Sequence, residues 1–227
     1  MEHNLREALS HVVWLGGATD SGKTSAAQKL ANRHSWQSYH YDKYDRPHHE
    51  ALAKKPDVHL PFFDNTLDER WVKPTPEDLL KRSLRSFQLR LPLVVEDLLA
   101  LSPKQVIIAE GFGLLPELIA PFLSHQHQAI WFVPTKAFKQ ASFARRGKPS
   151  FAAKTSDPEK ARMNLFNRDA LLADFIRVQV MEHSYQLHEV DGSLSYEETT
   201  NLLDAHFSLY LARETTIPSG RVQRDSG

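Results

Sequence analysis

Residues 12–24 read Val12-Val13-Trp14-Leu15-Gly16-Gly17-Ala18-Thr19-Asp20-Ser21-Gly22-Lys23-Thr24. Four apolar residues make a strand-like run, two glycines stop it, and a helix-forming stretch follows from Gly22 to about Arg33. The order is therefore strand, glycine loop, helix. Inside it, Gly17 to Thr24 satisfies G-x-x-x-x-G-K-[ST] at every position. The physical reason for the pattern is local. Glycines let consecutive amide N–H groups turn inward around phosphate oxygens, and the helix that follows presents its positive N-terminus to the same anion. In such a loop the lysine, Lys23, reaches the β and γ phosphates, and the hydroxyl of Thr24 reaches Mg²⁺. The predicted nucleotide contacts are thus Gly17, Ala18, Thr19, Asp20, Ser21, Gly22, Lys23, Thr24 and Ser25. Because glycine averages about 7% of residues, chance matches in a chain of this length are rare.

Working outward, further short apolar runs read as strands: Trp36 to Tyr41, Gln105 to Ala109, Ala129 to Val133 and Gln186 to Val190. Helical stretches separate them. Thr75-Pro76-Glu77-Asp78 supplies a hydroxyl cap, a proline at the first helical position and two acids near the positive dipole end. That helix is expected to run to about Arg90, to kink at Leu91-Pro92 and to continue as a second piece from Leu93 to Leu101. Leu114 to Leu123 reads as a short helix and Thr135 to Arg146 as a longer one. Ser156-Asp157-Pro158-Glu159 has a capping-box pattern and opens a helix to about His183, and Ser195-Tyr196-Glu197-Glu198 opens the last, to about Tyr210. Lys43 to Pro74, with four prolines, has no steady period and reads as an irregular excursion. Five strands alternating with helices predict an α/β fold, a doubly wound parallel sheet of five strands with ligands beyond the C-terminal strand ends.

Composition narrows the chemistry. The chain has 227 residues, 28 basic against 28 acidic side chains, 12 histidines and no cysteine. Disulfides, thiol nucleophiles and cysteine-based zinc sites are excluded. Zero net charge and the lack of a basic stripe argue against nucleic acid as a partner. No apolar run approaches the roughly 20 residues that span a bilayer, and the first residues lack the apolar core of a signal peptide. A cytoplasmic protein with no membrane partner is expected, and the sequence sets no oligomeric state. One unit is expected over residues 1–213, with an acceptor-side insertion at 43–101, a lid at 147–158 and a flexible tail at 214–227.

A bound nucleotide also needs a carboxylate at a neighbouring strand end to organise magnesium. Two residues qualify: Glu110, which ends Val106-Ile107-Ile108-Ala109, and Asp42, which follows the second strand. One suits the metal and the other an acceptor hydroxyl, and the residues alone do not say which is the base. The arrangement resembles the nucleoside and nucleotide kinase-like group of P-loop proteins, which includes shikimate, gluconate, adenylylsulfate and chloramphenicol kinases and polynucleotide 5′-kinase. The resemblance carries from about residue 11 to residue 210 in the order of elements. It implies that Asp42 binds or deprotonates the acceptor, with Tyr41, Arg46 and Glu110 nearby. The Glu110-Gly111 pair resembles uridine kinase and phosphoribulokinase relatives and is assigned to the metal with Thr24. Asp191-Gly192-Ser193 resembles the turn that lies against adenine. The family's lid falls at Gly147 to Pro158, so Arg145 and Arg146, with Lys148, are expected to neutralise the transferring phosphoryl group. Arg162 and Arg168 either join them or pair with Glu159 and Asp169.

The cluster Tyr39, His40, Tyr41, Tyr44, His48 and His49 matches no zinc spacing and reads as a polar and aromatic acceptor wall or as loop packing. Trp71 either anchors the excursion or stacks on a substrate ring, while Trp14 and Trp131 are core positions. The expected activity is Mg²⁺- and ATP-dependent phosphoryl transfer to a hydroxyl of a small-molecule or nucleoside-like acceptor. A slow NTP-binding regulator and a polynucleotide 5′-kinase are the alternatives.

Overall fold

The computed structural model describes residues 2–55, 58, 62–146 and 151–214. In chain order the helices and strands are α1 Glu2–Ala8, β1 Val12–Gly17, α2 Lys23–His34, β2 Gln37–His40, α3 Asp45–Ala53, α4 Leu67–Trp71, α5 Pro76–Ala100, β3 Ile107–Gly111, α6 Pro116–Ile119, β4 Ala129–Pro134, α7 Lys136–Arg146, α8 Pro158–Glu182, β5 Gln186–Val190 and α9 Tyr196–Glu214. The five strands form one sheet in the order β2-β3-β1-β4-β5, and every pairing is parallel. The doubly wound α/β reading holds.

Alternation along the strands assigns the two layers. Val12, Trp14, Ile107, Ala109, Ala129, Trp131 and Val133 face α5, α6 and α8, meeting Val94, Leu98, Ile119, Leu172, Ile176 and Val180. Val13, Leu15, Ile108, Ile130 and Phe132 face α2 and α9, meeting Ala27, Leu30, Leu203 and Phe207. All six residues of β1 are buried. Register then places the chemistry: Leu15 lies opposite Glu110, and Glu110 lies opposite His40. The three stand level across the sheet, just below the glycine loop.

Four expectations change. The excursion is not irregular throughout, because it holds α3 and α4. Thr66 and Glu69 form a reciprocal capping box that starts α4, and α3 buries His48, His49 and Leu52 on one side. The helix from Thr75 does not break at Pro92; α5 runs unbroken from Pro76 to Ala100. Phe87 and Arg90 before the proline and Val94, Val95 and Leu98 after it are all buried, and packing of both halves offsets the backbone bond that proline removes. The cap of α8 is Asp157, which accepts from the Lys160 amide, with Pro158 at the first helical position. Ser156 instead donates its amide to Asp68 Oδ1 at 2.8 Å. Finally, β2 stops at His40, and Tyr41–Tyr44 forms a 3-10 turn. Gly147 to Ser150, in the expected lid, and the tail from Thr215 lie outside the described residues.

Candidate functional site

Gly17 has φ 131 and Gly22 has φ 74, both in the region that favours glycine. A Cβ on Gly17 would stand 2.0 Å from the Phe132 carbonyl oxygen, so β4 presses directly on the start of the loop. Ser21 donates to Ala18 O at 2.9 Å, and Lys23 Nζ donates to the same carbonyl at 3.0 Å. The Lys23 side chain is buried. Burial pulls its pKa below the ordinary lysine value, and the carboxylates of Glu110, Asp42, Asp169 and Asp20 pull it back up. The charges of four acids therefore act on one buried ammonium.

Thr24, in the first turn of α2, is exposed and donates its hydroxyl to Glu110 Oε2 at 3.0 Å. Glu110 is 1% exposed, and its Oε1 lies 2.9 Å from His40 Nδ1. A cavity of about 570 Å³ opens beside them, lined by Thr24, His40, Asp42 and Glu110 together with polar side chains of α2 and Lys43. Asp42 opens to this cavity. Asp42 is solvent-exposed, yet partial loss of water around its carboxylate raises its pKa above the ordinary value, opposed by Lys23 and reinforced by Glu110. The structure thus brings Lys23, Thr24, Asp42 and Glu110 to one place.

Other predicted residues lie elsewhere. Tyr41 is not a pocket wall: its side chain is buried, edge-on to Phe87 and Phe112. A Cβ on Gly111 would stand 2.2 Å from Tyr41 Cβ, and one on Gly113 would stand 2.3 Å from Cζ. The ring lies on bare glycine backbone, which fixes the turn carrying Asp42. Arg90 reinforces that turn. Its guanidinium sits 3.9 Å over the Tyr41 ring, donates to Tyr41 O at 3.0 Å and pairs with Asp45 at 2.5 Å. Arg46 is exposed, 3.7 Å from Glu50 and over the Phe63 ring, away from the cavity lining. Arg145 is exposed near the end of α7, and nothing is described of the Arg146 side chain. Arg162 pairs with Glu159 at 3.1 Å, and Arg168 lies 2.9 Å from Asp169. Asp191 accepts from the Ser193 amide at 2.8 Å, closing a turn after β5. Trp71 stacks on Phe151 at 4.8 Å, and its carbonyl accepts from Asn164, so it ties α4 to α8 and to the segment before it.

Sequence reasoning missed Lys139. This α7 residue is buried against the outer side of the loop, 2.5 Å from Asp20, 2.7 Å from Thr19 Oγ1 and 3.1 Å from Asp169. Thr19 also donates to Asp169 at 2.6 Å. Asp20 holds φ 64, a left-handed conformation uncommon for a residue with a side chain. The only signal available was a lysine at a helical position facing inward.

The donor set fits magnesium. Mg²⁺ is held by one or two protein oxygens while phosphates and water fill the other positions, and one hydroxyl with one carboxylate, Thr24 and Glu110, stands at the head of the phosphate loop. Among the described residues no group of three or more His, Cys, Asp and Glu side chains forms a self-sufficient metal cage.

Two shikimate kinases are among the solved structures similar to this chain. That from Aquifex aeolicus is 17% identical with a TM-score of 0.36, over 92% of this chain and 99% of the other. That from Acinetobacter baumannii, in complex with shikimate, is 12% identical with a TM-score of 0.40, over 92% and 98%. An uncharacterized protein from Eubacterium ventriosum is 14% identical with a TM-score of 0.41, over 87% and 98%. No protein-family model matches the chain, and no curated protein matches it. With scores this low, the functional reading rests on the chain's own residues.

Proposed function

We propose that this chain is a Mg²⁺- and ATP-dependent phosphotransferase that moves the γ-phosphate to a hydroxyl of a small-molecule acceptor. The observation that carries the reading is that the Thr24–Glu110 pair and Asp42 line one open cavity while the buried Lys23 ammonium feels the charges of both Glu110 and Asp42. Neither a structural glycine turn nor a solvated strand end calls for all four together.

The loop amides and Lys23 hold the β and γ phosphates and neutralise charge that spreads over the transferring group. Thr24 and Glu110 would hold Mg²⁺, which would supply Lewis-acid stabilisation of the transferring group when bound. Asp42 accepts the acceptor's hydroxyl proton as that oxygen bonds to the γ phosphorus, while the bond to the β-phosphate oxygen breaks and ADP leaves. Lys23 also acts electrostatically on Asp42, favouring its ionised form. Arg145 and Arg146 are assigned the second shield over the phosphates, from the α7 end of the lid. The Asp191–Ser193 turn is assigned to the adenine of the nucleotide. Such an enzyme works on cytoplasmic metabolites.

The test is an acceptor screen that follows ADP release with MgATP alone and with nucleosides, sugars, hydroxy acids, aminocyclitols and short oligonucleotides. Stimulation by one class, lost in Lys23→Ala, is expected. If no class stimulates, or if Lys23→Ala turns over as wild type does, the reading falls, and a nucleotide-controlled regulator takes its place.

A further inference from the structure

His40 closes the inner end of β2, and parallel register sets it beside Glu110 on the neighbouring strand. Its side chain is 10% exposed, and its Nδ1 is 2.9 Å from Glu110 Oε1. A carboxylate only accepts, so this ring nitrogen carries the proton and donates. The other carboxylate oxygen, Oε2, accepts from Thr24 at 3.0 Å. Glu110 is therefore gripped at both oxygens, once by the residue that follows the phosphate-loop lysine and once by the edge strand. No other hydrogen bond reaches its side chain among the described residues.

A free glutamate terminal group rotates broadly, because its last torsion joins tetrahedral to planar carbon. Holding Oε1 from the side therefore decides where Oε2 points. Outer partners of this kind orient metal-binding groups and raise their affinity. We propose that His40 is a positioning residue for metal uptake: its Nδ1–H fixes Glu110 Oε1 so that Oε2 stays presented beside the Thr24 hydroxyl, where the magnesium of the nucleotide is taken up. The inference rests on the phosphotransfer reading and adds a residue to it. His40 touches neither phosphate nor acceptor in this role; it acts through Glu110.

Calorimetric binding of ADP, once with MgCl₂ and once with EDTA, separates this role from simple packing. The ratio of the two affinities is the gain due to magnesium. In His40→Leu, which keeps bulk but has no donor, that gain is expected to fall about ten- to a hundredfold, while ADP in EDTA binds as tightly as to wild type. In His40→Asn, whose amide can stand where Nδ1 stood, most of the gain is expected to return. His40→Ala supplies the same comparison should the leucine disturb folding, and thermal melts of each variant identify the folded ones. If the gain survives in folded His40→Leu or His40→Ala, His40 does not position the metal group. A parallel fall of both affinities assigns His40 to packing and also overturns the inference. If wild type shows no gain from magnesium, or does not bind ADP, the phosphotransfer reading itself fails and takes this inference with it.

Discussion

At the scale of single residues, the proposed transfer turns on how Asp42 titrates. Partial loss of water around its carboxylate lifts its pKa above the ordinary value, with Lys23 opposing. A base must be ionised to accept a proton, so transfer is lost as pH falls through that raised value. The acid limb of the kcat/KM profile is expected above the range of an ordinary aspartate. Asp42→Asn is expected to lower kcat by about a hundredfold or more and to abolish the limb. A limb that persists unchanged in the asparagine variant assigns the titration to another group. The phosphate loop was legible in the sequence because its chemistry is local: backbone amides, two glycines and a lysine within eight positions. Tyr41 was misread because the strand ends at His40 and the turn rotates the next side chain inward onto Gly111 and Gly113. In the sequence His40 reads as part of an acceptor wall or as loop packing. Its partner lies 70 residues away, and only the register of β2 on β3 joins them.

Between elements, the loop is braced from outside. Lys139 of α7 and Asp169 of α8 grip Thr19 and Asp20, so three separate parts of the chain share one buried cluster of charges. Removing one member of a buried ionic cluster strands the others. Lys139→Met is expected to cost about 3 kcal/mol in urea unfolding and to weaken ADP binding, since the left-handed turn at Asp20 loses its tether. A loss of stability with unchanged ADP affinity would show that the brace supports the helices alone. The second contact between elements is that of Tyr41 with the glycines that follow Glu110. Gly111→Ala drives a methyl into the Tyr41 side chain and is expected to cost about 1 to 3 kcal/mol. Single-turnover transfer is expected to suffer more than ADP binding, because Asp42 moves and the loop does not. Helices α3 and α4 escaped the reading for a physical reason: a helix of nine residues or of five has too little period to stand out among prolines. The unbroken α5 escaped it because proline's local effect was weighed without the buried residues on either side of it.

For the molecule as a whole, one source of acid sensitivity lies at the end of the sheet opposite the cavity. His206 of α9 is buried, with Nε2 bonded to Ala129 O at 3.0 Å. Burial pushes its pKa down to about 4 from the ordinary 6.5, and the His127 and His125 rings beside it act in the same direction. Above pH 6.5 the histidine is neutral folded or unfolded and has no linked effect. As pH falls from 6.5 toward 4, the unfolded chain takes a proton that the folded chain refuses, so stability falls by about 3 kcal/mol across that window. His206→Gln is expected to flatten this part of the curve, measured as the urea midpoint at pH 7 against pH 4.5. An equal drop in both proteins would place the acid response elsewhere. The sheet itself was legible from alternation and from the glycine loop, whereas the strand order was not, because nothing in five short runs states which lie side by side. That order has an evolutionary consequence. The chain leaves the sheet at β2, an edge strand, and re-enters at β3 only after α3, α4 and α5. The segment before α5 can therefore be lengthened, shortened or replaced by descent without cutting a single strand pairing. On the proposed function, acceptor specificity would diversify on that side while Lys23, Thr24 and Glu110 keep their places.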